Sequence, residues 1–212
     1  MKYIIMCAGS GTRWNNYLGV PKHLVSINGE TLLGRTTRLL KERGITDYVI
    51  TSFDKEYKKY GKVIPQSYID CEIDRFEDTG DKEICYLYGD VYYTENAIDL
   101  IVNTDTKDIL FFGNYEEIFA IKIKKRETFF NTKYVVKSLY QAGVIKRCIG
   151  WELYRALNNL PFEEHTFGDK YLMVKINDET NDLDYPEDYD KLKARLEKWN
   201  IWYILIQKDY GM

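Results

Sequence analysis

Short apolar runs and stretches of helical period alternate along the 212 residues. Residues 2–7 form an apolar run that gives way to small residues, the pattern of a buried strand. In 32–43 the apolar positions Leu32, Leu33, Leu39 and Leu40 recur at helical spacing, and Gly44 follows as a C-terminal stop. Residues 48–51 and 83–88 read as further strands. Thr94 is placed to cap a helix whose apolar face is Ala97, Ile98, Ile101 and Val102. Residues 108–112 are again strand-like. In 119–124, Phe119, Ile121 and Ile123 alternate with Ala120, Lys122 and Lys124, which predicts a strand with one wet face. Helices are predicted over 131–142 and 151–158, a strand over 171–176, and a last helix over 186–198 with Tyr189, Leu192 and Leu196 on one side.

Strands that alternate with helices argue for an α/β fold whose sheet is largely parallel and covered on both faces. The length suits one domain, residues 1–212. In such sheets ligands bind at the carboxyl ends of the strands, which directs attention to the residues after Cys7 and after Tyr88. Composition narrows the partners. Apolar residues make up 45% and charged residues 30%, the balance of a globular protein, and the net charge is −3 with no basic stripe. Nucleic acid is therefore excluded as the main partner, and any phosphate handled is a small one held locally. Cys7, Cys71, Cys85 and Cys148 show neither a zinc spacing nor a disulfide framework. The amino-terminal apolar run is too short for a signal peptide, and Ile201 to Ile206 cannot span a bilayer, so the expectation is a cytoplasmic protein without a membrane partner.

The first strand runs into Ala8-Gly9-Ser10-Gly11-Thr12-Arg13-Trp14, followed by Pro21-Lys22. Two glycines let the backbone turn sharply and present its N–H groups to an anion. Arg13 and Lys22 supply mobile positive charge to the same phosphates. A Walker-type loop would need a terminal Gly-Lys-Ser/Thr, which is absent, and a dinucleotide fingerprint would need a third glycine where Trp14 stands.

G-x-G-T-R followed by P-K, then Thr31-Leu32-Leu33, resembles the amino-terminal half of the sugar-1-phosphate nucleotidyltransferase superfamily, which includes small cytidylyltransferases and the molybdenum-cofactor guanylyltransferases. The resemblance implies a Rossmann-like three-layer α/β/α sandwich with a mostly parallel central sheet. It makes 8–13 and Lys22 the nucleotide-binding residues, with Arg13 and Lys22 the catalytic charges. Both of these side chains are then expected to project into a solvated cleft. It also implies a metal-binding acid at the end of a central strand, where Asp90 stands in Tyr88-Gly89-Asp90-Val91, and a second acid before a closing P-E-D and helix. In Asp182-Leu183-Asp184-Tyr185-Pro186-Glu187-Asp188 that second ligand is Asp184, with Asp182 as the alternative. A capping box from Asp184 to Glu187 is the structural role the same residues would fill. Two carboxylates plus substrate phosphates suit Mg²⁺.

The reaction implied transfers a nucleoside monophosphate from an NTP to a small phosphorylated acceptor, a sugar 1-phosphate or an amino-alcohol phosphate, and releases pyrophosphate. An acceptor phosphate is already charged near neutrality and needs no general base, so His23 and His165 read as structural or exposed. The segment 51–90 lacks the family's usual glycine-threonine turn and helix, because Thr79-Gly80-Asp81 lies too close to Asp90. The choice among CTP, UTP, GTP and ATP therefore stays open. The acceptor is assigned to about 113–169, where Lys122, Lys124 and Lys170 are either phosphate ligands or exposed lysines. A glycosyltransferase of the same fold would show Asp-x-Asp where this chain has Gly89-Asp90-Val91, and a non-catalytic nucleotide sensor would not need Arg13, Lys22 and Asp90 together.

Overall fold

The computed structural model describes residues 1–9, 11–163 and 172–210, with side chains through Lys198. Strand β1 (Lys2–Met6) leads through two short pieces, β2 (Ser26–Ile27) and β3 (Glu30–Thr31), into helix α1 (Leu32–Glu42) and strand β4 (Tyr48–Ser52). Next come β5 (Lys62–Pro65), β6 (Ile84–Tyr88) and β7 (Val91–Tyr92), then α2 (Glu95–Asn103). The antiparallel neighbours β8 (Ile109–Gly113) and β9 (Ile118–Ile123) precede α3 (Arg126–Gln141) and α4 (Gly150–Leu157). The chain ends through β10 (Met173–Lys175), β11 (Asn181–Asp182) and α5 (Pro186–Tyr210).

Capping chemistry sets the helix starts. The Thr31 hydroxyl accepts from the Gly34 N–H and the Thr94 hydroxyl from the Ala97 N–H, both at 3.0 Å. Gly44 ends the first helix at φ +73°, a conformation other residues reach only with strain.

The central sheet runs β10-β8-β9-β6-β1-β4-β5. β1 is parallel to β4 and β6, β4 to β5 and β8 to β10, whereas β9 is antiparallel to both neighbours. Across β6 and β9, Cys85 pairs with Lys122 and Tyr86 with Ile121. Tyr86 stacks on Phe129 of α3 at 6.1 Å between centroids, while the Lys122 ammonium donates to Val102 O and Thr104 O at the end of α2, 2.9 and 2.7 Å away. Neighbouring residues of a strand point to opposite faces, so α2 and α3 cover opposite sides of the sheet. The result is the three-layer arrangement.

Lys122 also corrects an expectation. The second face of β9 is not wet: Ala120 and Lys122 are both buried, and the lysine satisfies carbonyls that the last turn of α2 leaves open. Edge strand β5 carries no clear period and ends at Pro65, as edges tolerate. The predicted 171–176 strand is β10, with Tyr171 and also Lys170 and His165 outside the described residues. The cysteines give a second correction, since Cys71 and Cys148 are joined by a disulfide across 77 residues while Cys7 and Cys85 are free and buried. A second small core gathers Trp14, Val25, Ile27, Leu32, Tyr92 and Leu183 against Leu192 of α5, with Tyr189 and Leu196 at its margin.

Candidate active site

The chain steps from β1 sideways to β4 and β5, then returns to the other flank of β1 for β6. That reversal opens a crevice at the carboxyl ends of β1 and β6. Gly89 lets the two ends close on each other. Its N–H donates to Met6 O at 3.0 Å, and a Cβ there would lie 2.6 Å from that same oxygen and closer still to Cys7 Sγ. Asp90 is thereby set beside the end of β1, 5% exposed. On the other strand, Gly11 turns at φ +61° and its carbonyl accepts from the Asn15 N–H, 3.1 Å away. Trp14 is buried, donates Nε1–H to Val20 O at 2.9 Å and packs edge-on against Tyr17 and Tyr189. The residue that replaces a fingerprint glycine thus anchors the loop. Ser10 lies outside the described residues.

Pro21 feeds a single 3₁₀ turn, Lys22–Leu24, that points Lys22 inward. Its ammonium forms an ion pair with Asp90 Oδ2 and donates to Asp184 Oδ1 at 3.1 Å. The Arg13 guanidinium forms an ion pair with Asp184 Oδ2. Arg13 is half-exposed at 55%, but Lys22 is only 7% exposed, so the expectation of a solvated side chain fails for the lysine. Burial alone would favour the neutral amine, yet Asp90 and Asp184 hold Lys22 protonated. Burial would likewise push the Asp90 carboxyl up, and Lys22 with Arg75 instead keeps it well below the usual carboxylate range.

The second acid arrives through β11, which pairs antiparallel with β7, Asn181 opposite Tyr92 and Asp182 opposite Val91. The Leu183 N–H donates to Asp90 O at 3.0 Å, which fixes this late segment to the end of β6. Asp184 meets both Lys22 and Arg13. Asp182 has no ion pair among the described residues, and burial followed by the charges of Asp184 and Asp90 raises its pKa to about 7. The capping role falls to Asp188, whose Oδ2 accepts from the Tyr185 N–H at 2.8 Å, so the Asp184 to Glu187 box is not the arrangement found. Among the described residues no group of three or more His, Cys, Asp or Glu is close enough to hold a metal. The acid pair is two.

Two clefts meet at Asp184, and Asp90 lines the second of them. One, about 570 Å³, is lined by Ala8, Gly9, Gly11, Thr12, Phe53 and Tyr68. The other, about 480 Å³, is lined by Tyr88, Tyr115, Glu117, Arg147 and Trp151. Arg13, Lys22, Glu72, Arg75 and Asp184 line both. Burial, then Asp182 and Asp184, pushes Glu117 up to about 8.

The sequence reading missed Glu72 and Arg75, which sit on a 3₁₀ turn, Glu72–Arg75. The Cys71–Cys148 bond and the Gly150 N–H, which donates to Glu72 Oε1 at 3.0 Å, tie that turn to the start of α4. No period or motif marks the turn, so no sequence signal pointed to it. Lys122 lines neither cleft, and Lys124 pairs with Asp105 at 2.8 Å.

No model of a protein family and no curated protein matches the chain. Solved structures do. The CTP:phosphocholine cytidylyltransferase of Streptococcus pneumoniae superposes with a TM-score of 0.59 at 18% identity, over 92% of this chain and 98% of that one. The inositol-1-phosphate CTP transferase of T. maritima gives 0.57 at 12% identity, over 92% and 96%. The fold is that of the nucleotidyltransferases. A third structure of this fold, Rv0371c from Mycobacterium tuberculosis in complex with manganese, gives 0.50 at 13% identity, over 91% and 97%. The superpositions thus cover nearly the whole chain. Among the described residues no helix is long and apolar enough to cross a membrane.

Proposed function

We propose that the protein is a divalent-metal-dependent nucleotidyltransferase that moves a nucleoside monophosphate from an NTP to a small phosphorylated acceptor and releases pyrophosphate. The observation that carries this reading is the convergence of Arg13, Lys22, Asp90 and Asp184 where the two clefts join. The glycine-loop cleft takes the nucleotide. The cleft toward Trp151, inside the 113–169 region, takes the acceptor.

Asp90 and Asp184 fit Mg²⁺. Their carboxylates already share one cation, the Lys22 ammonium, and an oxygen pair completed by water and phosphate is the donor set this ion takes. The superposed manganese complex supports a divalent ion in this fold. Once bound, the ion supplies charge neutralisation at phosphate oxygens. The chain's own groups do the rest. Backbone N–H groups at Gly9 and Gly11 hold the triphosphate, Arg13 lies toward the leaving pyrophosphate, and Lys22 meets the reacting phosphate. An acceptor phosphate oxygen attacks the α-phosphorus in line, the α–β bridging bond breaks, and the pair leaves with pyrophosphate. Alignment and fixed charge carry this step, and no side chain removes a proton.

The acceptor cleft combines Tyr88, Tyr115 and Trp151 with Glu116 and Glu117. Each of these rings already faces a cation of the chain, Tyr88 that of Arg75, Tyr115 that of Lys175 and Trp151 that of Arg155, so the lining does not by itself favour an amino-alcohol phosphate over a sugar 1-phosphate. Pyrophosphate release is to be measured with each of ATP, CTP, GTP and UTP against phosphocholine, phosphoethanolamine and glucose 1-phosphate, with Mg²⁺ and with EDTA. Release that needs both an acceptor and the metal is the result expected. A folded protein silent across the panel would sink the reading.

A further inference from the structure

Arg75 stands out because its guanidinium is largely buried beside the site yet makes few direct hydrogen bonds. Arg13 and Lys22 are committed to Asp184 and Asp90. The Arg75 side chain is 13% exposed, yet its one hydrogen bond among the described residues is a long one, Nε–H donating to Glu72 O at 3.4 Å. The nearest carboxylate oxygen, Glu72 Oε2, is 3.6 Å from Nη2, beyond hydrogen-bonding distance. Glu72 Oε1 is already taken by the Gly150 N–H at 3.0 Å and the Tyr88 hydroxyl at 3.3 Å. Among the described residues both terminal nitrogens of this largely buried guanidinium are therefore without hydrogen-bonded partners. Such donors carry a desolvation cost that an anion would offset.

Position says which anion. Arg75 lines both clefts, its guanidinium lies over the Tyr88 ring at 5.4 Å, and Nη1 is 3.5 Å from where a Cβ on Gly9 would be. The guanidinium therefore lies beside the glycine-loop backbone, at the place where the two clefts meet. We propose that Arg75 is a catalytic residue that grips the transferred α-phosphate, its planar fork closing over the oxygens that the glycine-loop backbone meets from the other side. This rests on the nucleotide occupying the glycine-loop cleft as proposed above. A fork holds a phosphate in orientation as well as by charge, so Arg75 sets the α-phosphorus against the acceptor.

The test separates this role from turnover. Binding of AMP, CMP, GMP and UMP is compared with that of the matching nucleosides by calorimetry, for the wild-type protein, Arg75→Gln and Arg75→Lys. The wild type should bind at least one monophosphate more tightly than its nucleoside. Arg75→Gln should remove roughly tenfold or more of that preference, the scale of a charge-assisted pair, and leave nucleoside affinity unchanged. Arg75→Lys should retain part of it. Thermal melting checks that each variant is folded, and if Arg75→Gln fails to fold the Arg75→Lys comparison decides. A preference for monophosphate that survives both substitutions overturns the proposal, as does a wild type that does not distinguish monophosphate from nucleoside. A protein inactive across the acceptor panel would sink the functional reading and with it the catalytic role, while the binding comparison would still decide whether Arg75 holds the α-phosphate.

Discussion

Replacing Lys22 with alanine should have two opposite effects. In the metal-free protein, the substitution leaves Asp90 almost fully buried and without its ion-pair partner. Removing one member of a buried pair costs about 3–5 kcal/mol. The lower figure applies here because Arg75 also acts on Asp90. About 3 kcal/mol corresponds to a fall of roughly 6–12 °C in melting temperature for a chain of this size. The same substitution frees the two carboxylates for a metal, so Mg²⁺ should restore most of the lost stability and raise the melting temperature of Lys22→Ala more than that of the wild type. The sign with pH follows from the depressed Asp90 pKa. In the wild type the pairing stabilises above the unfolded carboxylate pKa near 4 and is lost as pH falls through the lower folded value. Melting curves in EDTA and across a Mg²⁺ series at pH 7, and in EDTA at pH 7 and pH 3, measure all of this. Activity should fall about a hundredfold or more despite tighter metal binding, because a preorganised charge is gone. Equal melting of variant and wild type in EDTA would refute the role of Lys22 in offsetting Asp90. Normal turnover by folded Lys22→Ala protein would refute its place in catalysis.

Arg13→Ala should leave the melting temperature within about 1–2 °C of wild type, since the side chain is half-exposed, while weakening NTP binding and turnover together; titration calorimetry with the NTP and steady-state rates check both. Gly89→Ala drives a methyl group against Met6 O and should cost about 3 kcal/mol or more, read by urea unfolding; a wild-type midpoint would show that the two strand ends are not so close. Glu117 is raised in the folded state, so its contribution is intact below the unfolded pKa near 4 and is lost as pH rises through about 8. Glu117→Gln should therefore flatten the fall in stability between pH 4 and 8, and an unchanged profile would count against the burial of that carboxyl.

Local chemistry explains what the sequence reveals. The glycine loop and Gly89-Asp90 each follow directly from a strand, Lys22 is marked by the Pro21-Lys22 pair after that loop, and Asp184 by the P-E-D helix start beside it. Distances between them come from the β1–β6 contact and the β11–β7 bridge, which no local pattern encodes. A phosphate-facing Lys22 is expected to project into a solvated cleft; its burial depends on Asp90 and Asp184 arriving from elsewhere. Lys122 was read as wet because strand alternation says which face a residue takes but not what covers it. Arg75 and Glu72 belong to a 3₁₀ turn without period or motif, held by partners as distant as Cys148 and Gly150. Their role exists only in three dimensions.

The bridge between β7 and β11 also bears on the order in which the protein is made. A ribosome delivers the glycine loop, Lys22 and Asp90 well before residues 181–184, so a half-synthesised chain can close Lys22 on Asp90 while its second acid is still missing. During that interval the ammonium acts as an internal counterion and shields a buried carboxylate that would otherwise oppose folding. The second acid of the candidate site comes last, with a two-residue strand.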